Sequence, residues 1–305
     1  MKVLIATAKP FAPAAVQGIR EIVEDAGYEL ALLEKYQENS ELLEAVADAN
    51  ALIIRSDKIT REVMDAAPNL RIVVRAGAGY DNVDLQAARE KGVCVMNTPG
   101  QNSNAVAELA FGMMVLKARN KYNGKAGTEL KGKKLGIHAF GNVGRLVALI
   151  GKGFSMDIYA FDPFLNADQI KAEGVTPVES AEALYQKCDY ISLHIPSNEK
   201  TKKSIGYDLL KMLPSNGTLV NTARKEVIDE EGLMKLMDER DDIYYLSDIA
   251  PDTRDLFEDK YPDNVFFTPK KMGAQTSEAN INAGLASANQ IIGFLKNGDE
   301  TFKVN

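Results

Sequence analysis

A chain of 305 residues is longer than one ordinary domain, so two domains sharing a crevice are expected. Hydrophobic residues make up 45% of it, enough for a full core, while the net charge of −7 argues against nucleic acid or an anionic membrane as the main partner. An acidic protein that takes an anionic substrate must therefore gather its arginines locally.

The amino terminus, MKVLIATAKPF, has too short an apolar run for a signal peptide. The longest apolar stretch, 105–116, is broken by Glu108 and is too short to span a bilayer. A cytoplasmic location is the expectation. The two cysteines, Cys94 and Cys188, fall in separate strand-like runs without metal-ligand spacing and read as buried core thiols, so no metal is expected.

Five short β-branched runs come first: KVLIATA, ELALLE, ALIIRS, RIVVRAG and VCVMNTP. Six more follow: KLGIHAFG, DIYAFD, DYISLHIP, GTLVNTAR, IYYLSDIA and NVFFTP. Nearly continuous apolar strands alternating with helical patterns indicate α/β architecture with buried parallel sheets. The two sets predict a first domain over 1–97, completed by a final helix over 276–305, and a second over 98–275. Between them, NTPGQNSN is a loop signal leading into a helix over 104–122. That helix is apolar on more than one face, which suggests burial against a second subunit as well as its own domain.

The strongest local motif is KKLGIHAFGNVGRLVALIG. It is a strand–turn–helix fingerprint for a dinucleotide, with Ala139 where the first glycine usually stands. Gly141 would admit the pyrophosphate, Gly144 would let the helix pack on the strand, and the helix N-terminus would meet the phosphates. Asp162 ends the next strand, where a carboxylate binds ribose hydroxyls and repels a 2′-phosphate, favouring NAD over NADP. His138 reads as a satisfied strand residue.

From Arg55 to the last helix the chain resembles the D-isomer-specific 2-hydroxyacid dehydrogenases, most closely their phosphoglycerate-oxidising branch. The matching blocks are LIIRS (52–56), RAGAGYDNVD (75–84), NTPGQNSNAVAE (97–108), the glycine loop, FDP (161–163), CDYISLHIP (188–196), LVNTAR (219–224), LSDI (246–249) and MGAQTSEA (272–279). The resemblance implies two Rossmann-like domains with the active site in the cleft between them, closing to exclude water. It places Arg224 on the carboxylate-binding arginine and Asp248 on the acid that contacts the nicotinamide amide. Ala78, Asn142, Val143, His194, Ile195, Thr222, Ala223 and Gly273 fall on positions beside the cofactor. Ser56, Gly77 and Asn102 fall beside the substrate.

Two catalytic positions depart from the family pattern. Where the family has Pro-His-Leu/Ile-Gly, this chain has Pro269-Lys270-Lys271-Met272-Gly273, so Lys271 holds the histidine position, with Lys270 as the alternative. A free lysine, pKa roughly 10.4, is a poor base at neutral pH. Burial and the charge of Arg224 are expected to lower it toward usefulness. The family's tuning glutamate is missing, and Asp252 is the nearest carboxylate. Lys225 replaces the glycine after the catalytic arginine and reads as one more cation near the anion.

Arg55 and Arg75 each end a predicted strand. Two cations at a crevice suggest a second anionic group on the substrate, such as a phosphate; surface pairing with Asp57 or Asp81 is the competing reading. The expected reaction is NAD-dependent oxidation of 3-phospho-D-glycerate to 3-phosphohydroxypyruvate, which leads to serine, by a homodimer. The alternatives are a reductase for glyoxylate, hydroxypyruvate or another 2-keto acid, and a non-catalytic, corepressor-like NAD sensor. The resemblance ends with the catalytic core, so serine inhibition through a β-rich regulatory domain is not expected.

Overall fold

The computed structural model describes residues 1–305. The strands, in chain order, are β1 (Lys2–Thr7), β2 (Glu29–Glu34), β3 (Ala51–Ile54), β4 (Ile72–Arg75), β5 (Cys94–Asn97), β6 (Lys134–His138), β7 (Asp157–Phe161), β8 (Thr176–Pro177), β9 (Tyr190–Leu193), β10 (Thr218–Asn221), β11 (Tyr244–Ser247) and β12 (Val265–Phe267). They form two parallel sheets, five-stranded in the order β2-β1-β3-β4-β5 and seven-stranded in the order β12-β11-β10-β9-β6-β7-β8. Two parallel-sheet α/β units of Rossmann-like type result. The chain divides into Met1–Asn102 with Gln275–Asn305, and Ser103–Ala274.

Four strands, the central β3, β9 and β10 and the edge strand β5, are buried along their whole length. That is why each places apolar residues at adjacent positions (Ile53-Ile54, Val95-Met96, Tyr190-Ile191, Leu219-Val220) rather than only at alternate ones. In the first unit, the helix Pro13–Asp25 buries Ala15, Ile19 and Val23, one turn apart along a single face. These pack in one core with Ala283, Ala288, Ile291 and Leu295 of the last helix, Ser277–Asn297. Thr276 starts that helix by accepting the Ala279 amide on its hydroxyl. The tail then lies along β5, where the Val304 amide donates to the Val95 carbonyl and the Val95 amide to Asn305 Oδ1.

In the second unit, the helix Ser103–Ala118 buries Val106, Ala107, Ala110, Phe111, Met113 and Met114. The helix expected to run to Tyr122 stops at Ala118. Asn120, Lys121 and Tyr122 all take positive φ, between 48° and 57°, and form a separate tight turn. No helix is long and apolar enough to cross a membrane.

Candidate functional site

Parallel strands in register bring their carboxyl ends to one edge. In the seven-stranded sheet, His138 is level with Phe161 and Leu193, Asn221 with Leu193 and Ser247, and Ser247 with Phe267. The residues that follow are therefore carried to the same edge: Ala139, Asp162, His194 and Ile195, Thr222 to Arg224, Asp248, and Thr268 to Gly273. Strand order reverses between β6 and β9, the position at which open α/β sheets form a ligand crevice.

The glycine loop has the geometry a dinucleotide needs. A Cβ on Gly141 would meet nothing within 4 Å, whereas one on Gly144 would lie 2.5 Å from the Ala139 carbonyl oxygen. The first glycine thus leaves open space where phosphate would approach, and the second lets helix Asn142–Gly153 touch β6. No side chain caps that helix, so its first-turn amides, including those of Asn142 and Val143, stay available to an anion. Ala139 adopts φ 76°, the left-handed backbone that a glycine would take without steric penalty. The Asp162 carboxylate accepts the Phe140 amide at 2.8 Å and the Phe164 amide at 2.9 Å, which fixes its direction and leaves lone pairs for ribose hydroxyls. The Thr222 hydroxyl is buried without a partner, a polar atom waiting for a ligand at this edge.

Both histidines are held neutral. His138 faces the Tyr185 hydroxyl at 3.3 Å, and burial pushes its pKa down to about 4. His194 Nε2 lies 2.9 Å from Ser192 Oγ, and burial pushes its pKa down to about 3. Neither is suited to proton transfer near neutrality.

Asp248 does something its sequence position did not reveal. It is 1% exposed; Oδ1 accepts the Met272 amide at 2.6 Å, and Oδ2 accepts the Gly273 amide at 2.9 Å. The Thr268 hydroxyl adds bonds to its carbonyl and to Oδ1. The carboxylate expected at the nicotinamide amide thus ties down the loop that carries Lys270 and Lys271. Gly273 is required there because a Cβ would meet Asp248 Oδ2 at 2.9 Å. Both lysines stand exposed, so the burial expected for Lys271 is not found in the chain alone.

Arg224 is half-buried, with Nη1 donating to the Ala223 carbonyl and its own carbonyl accepting from Asn221 Nδ2. Lys225 is not an additional cation for an anion: it pairs with Asp252, which raises its pKa. Asp252, expected as the tuning carboxylate, is exposed, and its observed partner is Lys225. Sequence reasoning missed Glu230, whose carboxylate accepts the amides of Asp252 and Thr253 and the Thr253 hydroxyl, fixing that turn. Its only signal was an acid in the first turn of a helix, which says nothing of a reach to residues 252–253.

In the first unit, Ile54, Arg75 and Asn97 are level, so Arg55, Ser56, Gly77 and Ala78 follow at that sheet's carboxyl edge. Arg55 donates through Nη1 to the carbonyls of Lys9 and Pro10, and through Nη2 to Asn280 Oδ1 at 2.5 Å, with Phe11 under its guanidinium. Of its five N–H donors, the Nε–H and one on Nη2 are left over. It does not pair with Asp57, whose carboxylate takes the Ala8 amide, the Tyr36 hydroxyl and the Arg55 amide. Arg75 Nε donates to the Arg55 carbonyl, and its guanidinium lies over Gly77, where a Cβ would fall 1.6 Å from Nη1. Ser56 and Ala78 are exposed, and Asn102 is half-buried in the loop before helix Ser103–Ala118. The Thr98 hydroxyl is buried without a partner.

Comparison with known proteins agrees with this architecture. The family model described as "D-isomer specific 2-hydroxyacid dehydrogenase, catalytic domain" matches residues 5–305. A D-3-phosphoglycerate dehydrogenase of Methanocaldococcus jannaschii is 37% identical over 82% of this chain, which spans only 51% of that protein. A hydroxypyruvate reductase of Thermotoga maritima is 36% identical over 86% of this chain and 90% of its own length. A crystal structure of NAD+-bound 3-phosphoglycerate dehydrogenase from Entamoeba histolytica superimposes with a TM-score of 0.88 and 47% identity, covering 100% of this chain and 98% of that one. Fold, strand-end motifs and these matches agree: the chain belongs to the D-isomer specific 2-hydroxyacid dehydrogenase family.

Proposed function

We propose that the chain transfers hydride reversibly between NAD and the C2 carbon of 3-phospho-D-glycerate, forming 3-phosphohydroxypyruvate, a reaction that leads to serine. The observation that carries this reading is one sheet edge that combines the open Gly141 turn, the fixed Asp162 carboxylate and Arg224. The Entamoeba enzyme at 47% identity supports the choice of cofactor and substrate.

Bound NAD supplies the hydride acceptor. Gly141, the amides of Asn142 to Gly144 and Asp162 hold its pyrophosphate and ribose; Thr222, Ala223, His194, Ile195 and Ala78 shape its surroundings. Arg224 grips the substrate carboxylate, because a planar guanidinium offers two parallel donors. Lys271 takes the hydroxyl proton, on a loop that Asp248 and Gly273 keep in place. Desolvation by cofactor and substrate lowers its amine toward the working pH. Arg75 and the leftover donors of Arg55 hold the phosphate, with Ser56, Gly77 and Asn102 beside it. Asp252 acts on the site through Lys225, next to Arg224 in sequence.

The active form is read as a cytoplasmic homodimer. Support for the dimer is half-exposed Leu109 on helix Ser103–Ala118, with exposed Leu149 and Phe154 on the following helix and its cap. Sedimentation at working concentration checks it.

NADH oxidation tests the substrate. Phosphohydroxypyruvate is expected to exceed hydroxypyruvate by about tenfold or more in kcat/KM, and Arg55→Ala is expected to narrow that gap. Equal rates would favour a reductase of unphosphorylated keto acids, as the Thermotoga relative's name suggests. NAD binding without turnover on any 2-keto acid would favour a sensing role.

A further inference from the structure

At the opposite, amino-terminal edge of the seven-stranded sheet lies a cavity of about 260 Å³. Its apolar walls include Tyr244, Leu246 and Phe266, and Lys117, Lys121 and Lys125 also line it, with Asp263 as the only carboxylate. Lys117 leaves the last turn of helix Ser103–Ala118 and sets its ammonium 4.2 Å from the ring centre of Tyr244 and 5.3 Å from that of Tyr190. It forms no ion pair, and burial, reinforced by Lys133 and opposed by Asp189, pushes its pKa down to about 8. A half-buried cation whose nearest partners are aromatic faces, and which Asp189 compensates only in part, can accept a further counter-charge.

The cavity rim is fixed at a cost in backbone strain. Asn120, Lys121 and Tyr122, none of them glycine, all have left-handed φ values. Lys121 Nζ pins this turn to the carbonyls of Pro262 and Val265, at 2.7 and 2.9 Å. Consecutive residues in this region persist only where surrounding contacts enforce them, and such strain concentrates at ligand sites.

We propose that this cavity is a second binding site, distinct from the strand-end site of Arg224, for a small organic anion: a phosphate or carboxylate on a flat apolar body. The anionic group pairs with Lys117 and is steered by Lys125, while the flat body rests on Tyr244 and Phe266. The volume is near the lower end for ligand pockets, which selects small metabolites over nucleotides.

Phenyl phosphate is the probe, with benzoate as the carboxylate arm. In the intact protein, either compound at about 10 mM is expected to slow acetylation of the Lys117 amine at least about fivefold, followed by peptide mass spectrometry. Calorimetry on Lys117→Met, which keeps the apolar stem, is expected to show at least about tenfold weaker binding than the parent. Should Lys117→Met fail to fold, the rim variant Lys125→Ala takes its place, with a loss of about threefold expected. Unprotected Lys117 acetylation with both compounds, or undiminished affinity in the folded variant, would overturn the proposal.

Discussion

At the carboxyl edge of the five-stranded sheet, Arg55 commits three guanidinium protons to the carbonyls of Lys9 and Pro10 and to Asn280. At the same edge of the seven-stranded sheet, Gly141 leaves space, the helix-start amides are uncapped and the Thr222 hydroxyl has no partner. Both sheets are parallel and both put polar residues where strand order reverses. In the first, those groups largely hold their own loops; in the second, several are left for a ligand. Topology therefore decides where a site can form, and unsatisfied hydrogen-bonding capacity decides what it holds.

The widest test of that contrast is Gly144→Ala. A Cβ 2.5 Å from the Ala139 carbonyl forces helix Asn142–Gly153 away from β6. NAD affinity measured by calorimetry should fall about tenfold or more. An unchanged Kd would break the reading of this edge as the cofactor cradle. Asp248→Ala comes next. It frees the Met272 and Gly273 amides, so their hydrogen-exchange protection should be lost, with a cost of about 1–3 kcal/mol for the orphaned donors. Retained protection would show that the lysine loop is held by other contacts.

Acid sharpens the comparison further, because both histidines belong to the second unit. With folded pKa values near 4 for His138 and near 3 for His194, the unfolded chain takes up protons that the folded chain refuses. Their effect is absent well above pH 6.5 and destabilises increasingly as pH falls toward those values. Between pH 7 and pH 5, His138 alone should cost about 2 kcal/mol, read from urea midpoints. Stability that rises over this range would contradict the burial argument. The smallest effect is expected for Ala139→Gly. Relief of a left-handed alanine should add about 1 kcal/mol, or roughly 2–4 °C in Tm.

Much of this was legible beforehand, and for physical reasons. Eleven strands announced themselves as short apolar runs, most of them because strands buried on both faces need such runs. The twelfth, Thr176–Pro177, is two residues long and carries no pattern to read. The end of helix Ser103–Ala118 was misjudged because no glycine or proline marks the left-handed turn at 120–122. At the site, strand-end residues were legible because they follow apolar runs directly. The grip of Asp248 on Gly273, the hold of Glu230 on Thr253 and the pairing of Lys225 with Asp252 join residues more than twenty positions apart. No local periodicity encodes such contacts. Arg55 was correctly placed at a strand end, but its bond to Asn280, 225 positions away, was equally hidden.

Lys271→Ala bears most directly on the claim that a loop lysine performs the proton transfer. With NADH and phosphohydroxypyruvate, kcat should drop by about a hundredfold or more while the Kd for NADH stays within about threefold of the parent. Turnover within about threefold of the parent would contradict the account and move the acid–base role to another group.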